Sequence, residues 1–394
     1  MIVLRTLAPQ TLALGVTATA LLIGCGDVTV PEGTSESTSG SSGSGSASGG
    51  GGGGGQGWTT PACASVSGTA AVTFTLDEGA TLTPTTQSLQ GLGYTYGLVA
   101  LDAPNTLVAE HQGQIIRSTD AGCTWSSLGA VASPLTLRAA PGGIAYAYQD
   151  NSSPLYRVEG TTITKLTAPV DGILGLGVDA GKSAHLRLGD AFGGLWDSTD
   201  AGATWMPNGV PAPVGSGPLV YRYGFDPGAL DHVVVGSATS GAHVSTDGGM
   251  TWKASTGLGA HSVNVFTVVI SPKDGDVVWA QGIDLDHSND PGSSGRTIWR
   301  STDGGLSFTA VVTQTPEIVL RNQELLAAHP TDPSVLYFVF GTYFQGYGTD
   351  IYRYDQATGK VTTTHNNYND VSALAFSPGD AKVMYLGLTS DAVN

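Results

Sequence analysis

Basic residues are scarce in this chain: 16 Lys and Arg stand against 32 Asp and Glu among 394 residues, a net charge of −16. Such an acidic surface repels nucleic acids and anionic membranes, so neither is expected as a direct binding partner. The sequence also lacks a G-x-S-x-G, an H-E-x-x-H and a P-loop motif, and its eight histidines show no metal-ligand spacing. These absences argue against a lipase, a protease and a nucleotide-binding protein.

No hydrophobic run is long enough to span a bilayer as a stable helix. The apolar stretch at residues 11–24 follows the positive Arg5, as in an export signal. It ends at Leu22-Ile-Gly-Cys25, which resembles a bacterial lipobox. The resemblance implies removal of residues 1–24 and lipidation of Cys25 at the bacterial cell envelope, the lipid being the only membrane contact. An ordinary secretory signal is the alternative.

Cysteine is also rare, with three in the whole chain. Residues 25–57 are rich in glycine and serine, cannot bury apolar surface, and are predicted to form a flexible linker. The remaining 58–394 form the folded domain. Because Cys63 and Cys123 are an even pair in an exported chain, we expect a disulfide between them.

One eight-residue phrase is present four times. The copies are Ser118–Trp125 (S-T-D-A-G-C-T-W), Ser198–Trp205 (S-T-D-A-G-A-T-W), Ser245–Trp252 (S-T-D-G-G-M-T-W) and Ser301–Phe308 (S-T-D-G-G-L-S-F). Each lies between two short apolar runs, which indicates a β-hairpin whose turn contains the aspartate and the glycine. The terminal aromatic residue is expected to fill the gap between neighbouring units.

The phrase resembles the Asp-box, or BNR repeat, of sialidases, sortilin-type receptors, xyloglucanases and photosystem II assembly factors. In that superfamily the box forms the turn between the third and fourth strands of a β-propeller blade, away from the substrate face. The resemblance therefore implies that Asp120, Asp200, Asp247 and Asp303 form turns and are not catalytic residues.

The strand before each box gives a blade count. Equivalent positions recur every 40 to 56 residues, close to the length of a four-stranded blade, at Arg117, Arg157, Asp197, Val244, Arg300 and Arg353. A seventh unit begins near residue 371. The apolar run at residues 70–76 belongs to no complete unit, so we predict that it completes the last blade. The predicted fold is all-β, a single propeller of seven four-stranded blades, with six or eight as alternatives.

Function is expected on the face opposite the boxes, where loops join second to third strands. Candidate binding residues there are His111, Asp150, Asp190, Tyr343, Phe344 and Tyr347, the three aromatic residues either contacting a ligand or capping the channel. A loop with alternating oxygen ligands, Asp284, Asp286, Ser288 and Asp290, could hold Ca²⁺ or be a solvated acidic loop. No other cofactor is expected.

The sequence singles out no catalytic residue. A sialidase needs a cluster of arginines, whereas Arg138, Arg187, Arg222, Arg296 and Arg321 are scattered and the superfamily's Phe/Tyr-Arg-Ile-Pro motif is absent. A xyloglucanase cleft lies between two propellers, and this chain has one. We therefore predict a lipid-anchored binding module for an envelope protein or glycan, with a glycoside hydrolase as the alternative.

Overall fold

The computed structural model describes residues 57–87, 95–259, 262–320, 325–340, 349–366 and 370–389. Six antiparallel sheets have four strands each, in the order of the chain. Blade 1 contains β2 (Thr95–Ala100), β3 (Leu107–His111), β4 (Gln114–Ser118) and β5 (Ser126–Ala130), and blade 2 contains β6 (Thr136–Ala140), β7 (Ile144–Tyr148), β8 (Leu155–Glu159) and β9 (Thr162–Leu166). Blade 3 contains β10 (Ile173–Asp179), β11 (Lys182–Asp190), β12 (Leu195–Ser198) and β13 (Met206–Asn208).

The next three blades repeat this order. Blade 4 contains β14 (Val220–Asp226), β15 (Ala229–Ser237), β16 (Ala242–Ser245) and β17 (Lys253–Ala254), and blade 5 contains β18 (Val263–Ile270), β19 (Val278–Asp284), β20 (Arg296–Ser301) and β21 (Thr309–Thr313). Blade 6 contains β22 (Leu326–Ala328), β23 (Val335–Phe340), β24 (Thr349–Asp355) and β25 (Lys360–Asn366). A 3₁₀ turn, Leu285–His287, follows β19. Among the described residues, no helix is long and apolar enough to cross a membrane.

Blade 7 is assembled from both ends of the domain. Its inner strands are β26 (Asp370–Phe376) and β27 (Met384–Thr389), and β1 (Val72–Thr75) pairs antiparallel with β27, with Val72 opposite Gly387. The outermost position is held by residues 83–86, because the Thr83 amide donates to the carbonyl of Phe74 at 3.0 Å. The prediction that an N-terminal strand completes a seventh blade is confirmed.

The core is divided among the gaps between blades. Each of the seven hydrophobic clusters joins two neighbouring blades, from the cluster of Phe74 and Leu98 between blades 7 and 1 to that of Val339 and Leu386 between blades 6 and 7. Second strands are covered on both faces, and all five residues of β7 are buried. This explains why they are continuous apolar runs in the sequence.

Each Asp-box forms a closed network of hydrogen bonds. In the first box, the Ser118 hydroxyl donates to Asp120 Oδ1 at 2.8 Å and accepts from the Gly122 amide at 2.9 Å. The Thr124 amide and hydroxyl donate to the two oxygens of Asp120, at 2.9 and 2.7 Å. The boxes at Asp200, Asp247 and Asp303 repeat this arrangement. The four aspartates therefore close turns.

A fifth box, not predicted from the sequence, follows β1. Thr75 takes the place of the serine: its hydroxyl donates to Asp77 Oδ1 at 2.7 Å and accepts from the Gly79 amide at 2.9 Å. The Thr81 amide donates to Asp77 Oδ1 at 2.9 Å, as in the other boxes. With Leu82 in place of the aromatic residue, this degenerate copy joins the third and fourth strands of blade 7.

The boxes also connect neighbouring blades. The Phe308 amide donates to the carbonyl of Thr256, which follows the outer strand of blade 4, at 2.9 Å, and the Trp125 amide donates to Ser67 at 3.0 Å. The box aromatics, Trp125, Trp205, Trp252 and Phe308, pack in the clusters between blades, as predicted. Next to the Ser67 contact, Cys63 and Cys123 form a disulfide with a Cα–Cα distance of 5.8 Å.

The Asp-boxes are expected to make stability dependent on acid. Hydrogen bonds from Thr204 to Asp200 and from Thr251 to Asp247 lower the pKa of each carboxyl from 3.8 to about 2. Because the folded pKa lies below the unfolded one, this stabilisation is present above pH 4 and is lost as the pH falls toward 2. The melting temperature, measured by circular dichroism, should fall over this range.

The double variant Asp200→Asn, Asp247→Asn is the control for this prediction. It should melt at a lower temperature at neutral pH and show a shallower fall between pH 4 and 2, because two titrating groups are gone. Parallel curves for the protein and the double variant would contradict the assignment of this acid sensitivity to the boxes.

Candidate functional site

We name the two ends of the propeller by their turns: the lower face carries the Asp-boxes, and the upper face carries the turns between second and third strands. Four predicted residues occupy similar structural positions at the upper face, at the end of a second strand or within two residues of it. They are His111 in blade 1, Asp150 in blade 2, Asp190 in blade 3 and Asp284 in blade 5. Each contacts partners of its own.

His111 lies beside the closure of the ring. Its Nδ1 is 2.9 Å from the hydroxyl of Thr95, and that hydroxyl donates to the carbonyl of Ala71, also at 2.9 Å. Ala71 directly precedes β1. His111 is therefore part of a polar contact between blades 1 and 7.

Asp150 forms an ion pair with Arg222. Two nitrogens of the Arg222 guanidinium donate to the two oxygens of Asp150, each at 2.8 Å, in the bidentate geometry that makes such pairs strong. Asp150 follows the second strand of blade 2, whereas Arg222 lies on β14 in blade 4. Burial disfavours the charge of Arg222, but Tyr148 and Asp150 outweigh this effect and raise its pKa. The pair links two blades that are not adjacent.

Asp190 is buried and organises its own turn. It is 7% exposed, and its carboxylate accepts from the amides of Phe192 and Gly194, at 2.8 and 2.9 Å, and from the indole of Trp196 at 3.0 Å. The hydroxyl of Tyr223 donates to the Asp190 carbonyl at 2.9 Å. This network holds Phe192 at the tip of the turn with 61% of its surface exposed.

The predicted calcium loop forms a 3₁₀ turn and an ion pair. Asp284 accepts from the amide of Asp286 at 3.1 Å, the Ser288 hydroxyl donates to the carbonyl of Leu285, and His287 Nδ1 lies 2.8 Å from Asp290. The hydrogen bond to Asp290 raises the pKa of His287. Within the described part of the chain, no three His, Cys, Asp or Glu residues are grouped to hold a metal ion. A calcium site here stays a prediction from the sequence.

The aromatic residues predicted on this face, Tyr343, Phe344 and Tyr347, lie outside the described residues, as does the predicted lipidation site, Cys25. Of the arginines, Arg187 is bound by Asp197 and Asp231, at 3.0 and 2.8 Å, between blades 3 and 4. It lies away from the Asp150–Arg222 pair.

At the lower end of the central channel there is a cavity of about 390 Å³. Among the described residues, its walls come from the first strands of blades 2 to 6 and the turns that follow two of them, and Arg138 on β6 is the one charged lining residue. The cavity was not predictable from the sequence, because each of blades 2 to 6 contributes only two to four residues to it.

The repeat and the fold agree with known proteins. The family model of the BNR/Asp-box repeat matches residues 243–254, which include the third box. Dispase autolysis-inducing protein from Streptomyces mobaraensis is 55% identical over 337 residues, a match that covers 84% of this chain and 90% of the relative.

This chain belongs to the family of Dispase autolysis-inducing protein.

Solved structures show where the fold of this family recurs. The GH74 enzyme of Niastella koreensis superimposes with a TM-score of 0.55 at 17% identity over 76% of this chain, and the GH74 xyloglucanase of Xanthomonas campestris with 0.53 at 18%. The chain spans about half the length of these two enzymes, 52% and 51%. YCF48 bound to D1 peptide superimposes with 0.52 at 13% identity, over 77% of this chain and 96% of that one. At these identities the likeness shows the propeller fold alone.

Proposed function

We propose that this protein is an exported, lipid-anchored β-propeller that binds a protease of the Dispase type and promotes its self-cleavage, without catalysing a reaction itself. The observation that carries the proposal is the 55% identity to Dispase autolysis-inducing protein over 90% of that protein's length. A protein partner is favoured over a glycan because the name of this relative specifies an effect on Dispase, which is a protein. Attachment through Cys25 would hold the propeller at the cell envelope, on the linker of residues 25–57.

The upper face is the proposed contact surface for the protease. Loops on a rigid scaffold are where binding groups concentrate, and an aromatic side chain that is already fixed loses little conformational entropy on binding. Phe192 meets this description, since the Asp190 network fixes its turn and leaves its ring exposed. The glycosidase alternative has weaker support: two of the scattered arginines, Arg187 and Arg222, are held by separate carboxylates.

The test is to incubate Dispase with the purified protein and follow intact Dispase by gel electrophoresis and its fragments by mass spectrometry. We expect the half-life of intact Dispase to fall severalfold at an equimolar ratio. Dispase blocked by an active-site inhibitor should stay intact, because the cleavage is its own. An unchanged half-life at tenfold excess of the propeller would refute the proposed function.

Phe192→Ala tests the contact surface separately. If Phe192 is a central anchor, we expect the concentration needed for half-maximal effect to rise about tenfold or more. Met250→Ala is the matched control: Met250 is also exposed, at 56%, but lies in an Asp-box on the lower face. Equal effects of the two substitutions would contradict the upper face as the contact surface while leaving the activity itself established.

A further inference from the structure

The cavity at the lower end of the channel has no part in the proposed contact with a protease. First strands run from the upper to the lower face. The lining begins in the middle of these strands, at Arg138 and Leu176, and reaches their lower ends at Val178, Phe225 and Ile270. Pro227 and Pro272, in the turns that follow, also line it. The cavity is therefore at the Asp-box end, opposite Phe192.

Its walls combine apolar side chains with free strand edges. Leu176, Phe225, Val269 and Ile270 supply apolar surface. The first strand of each sheet has a neighbour on one side only, so its other edge presents backbone N–H and C=O groups. Gly177 and Gly224 also line the cavity, and both are buried: a Cβ on Gly177 would meet Phe225, and one on Gly224 would meet Ile270, so these glycines let neighbouring first strands approach closely.

Arg138 brings a positive charge that no acid in the described part of the chain neutralises. One guanidinium nitrogen donates to the carbonyl of Leu137 at 3.0 Å, and the guanidinium carbon lies 5.9 Å from the centre of the Tyr148 ring. Among the described residues Arg138 forms no ion pair, whereas Arg157, Arg187, Arg222 and Arg353 each do. Arg138 therefore places a positive charge beside an apolar cavity in a protein whose net charge is −16.

We propose that this cavity binds a small molecule or chain end that carries one carboxylate on an apolar body. The carboxylate would accept hydrogen bonds from Arg138, whose planar fork matches its geometry, and from free strand-edge amides. The apolar body would pack against Phe225, Val269 and Ile270. A volume of about 390 Å³ is in the range of small-molecule sites.

Octanoate is the first probe, since it has both the carboxylate and the apolar chain. We expect isothermal titration calorimetry to show saturable binding of octanoate by the purified full chain. Octanol, which lacks the carboxylate, and acetate, which lacks the apolar chain, should bind much more weakly. Octanol that binds as tightly as octanoate would overturn the proposal, because the charge would then contribute nothing.

Two substitutions test the location. Arg138→Gln should weaken octanoate binding by about tenfold or more while leaving octanol unchanged, because one charge-assisted contact is lost. Ala139→Trp should abolish octanoate binding, since Ala139 is an exposed residue of the cavity wall and an indole there would occupy the space. Melting curves check that both variants are folded. Undiminished binding by both folded variants would refute this site.

Arg157→Gln is the matched control. Arg157 lies on β8 of the same blade and pairs with Glu159 at 2.7 Å, outside the cavity. Its replacement should leave octanoate affinity within twofold of the original value. A loss equal to that of Arg138→Gln would mean that net charge, and not the cavity, governs binding, and would overturn the proposal.

A second experiment, with a peptide, distinguishes the two sources of such a ligand: the C-terminus of a protein and a free organic acid. An acetylated hexapeptide ending in Leu-Phe is compared as its free acid and as its amide. Tighter binding of the acid, sensitive to Arg138→Gln, supports a protein C-terminus as the ligand, and binding of octanoate alone supports a free organic acid. If neither octanoate nor the peptide acid binds better than its neutral counterpart, the proposal is wrong. Because Phe192 lies at the other end, these outcomes do not affect the Dispase test.

Discussion

Replacing Cys63 and Cys123 with alanine should lower the free energy of unfolding by about 4 kcal/mol. The disulfide spans 60 residues, and a loop of that length restricts the unfolded chain by roughly this amount. The disulfide also lies where the propeller closes, because the segment that follows Cys63 contacts both residues 83–86 of blade 7 and the first Asp-box, in blade 1. The Val66 amide donates to Pro84 at 2.8 Å, and that of Ser67 to Cys123 at 2.9 Å.

Urea titration followed by tryptophan fluorescence measures this loss. The single variants Cys63→Ala and Cys123→Ala should each lose about as much as the double variant, because any of the three removes the same bond. The original protein under a strong reductant should match them. A double variant that loses less than about 1 kcal/mol would show that the cross-link does not restrain the ring closure.

Gly257→Ala should destabilise the protein by about 3 to 4 kcal/mol. Gly257 has φ +80° and follows Thr256, where blade 4 contacts the box of blade 5; an added Cβ would lie 2.0 Å from the carbonyl oxygen of Phe308. A left-handed conformation costs alanine roughly 1 to 2 kcal/mol, and the overlap with backbone adds about 2 kcal/mol more. Gly68 makes the same approach to Trp125, 1.9 Å from its carbonyl oxygen.

Gly292→Ala separates the two contributions. Gly292 has nearly the same conformation, φ +85°, but no atom lies within 4 Å of the position of its Cβ. Its replacement should cost about 1 to 2 kcal/mol, the conformational part alone. Urea titration of the two variants measures the difference. If both variants lost the same free energy of unfolding, the contact between blades 4 and 5 would have to accommodate the added methyl group without destabilisation.

The fold was predictable because its repeating signal is local. The hydrogen bonds of serine, aspartate and threonine that close the turn of a box fall within eight residues, so S-x-D-x-G-x-T-W specifies the turn wherever it occurs. The copy at residues 75–82 escaped notice because Thr75 and Leu82 replace the serine and the aromatic residue, although the same bonds form. The pattern matches this copy only when threonine is allowed at its first position and leucine at its last.

The candidate site was less predictable, because its contacts are distant in sequence. Asp150 and Arg222 are 72 residues apart, and nothing in the loop around Asp150 indicates that partner. The sequence shows that residue 190 is an aspartate, but it does not show that the amides of Phe192 and Gly194 donate hydrogen bonds to this carboxylate. Those amides belong to a turn whose geometry forms only on folding. Asp190-Ala-Phe-Gly-Gly, between two apolar runs, was the available sign of a tight turn with an exposed aromatic tip.

Pairing of β1 with β27 imposes an order on maturation. The strand Val72–Thr75, near the start of the described domain, pairs with its partner only after residues 384–387 have been synthesised, so it must wait for nearly the whole domain. A chain exported from its amino end would hold an apolar strand uncovered during transit, with Cys63 and Cys123 free to react with other thiols. Such a protein should depend on chaperones on the destination side of the membrane until β1 pairs with β27 and completes the propeller.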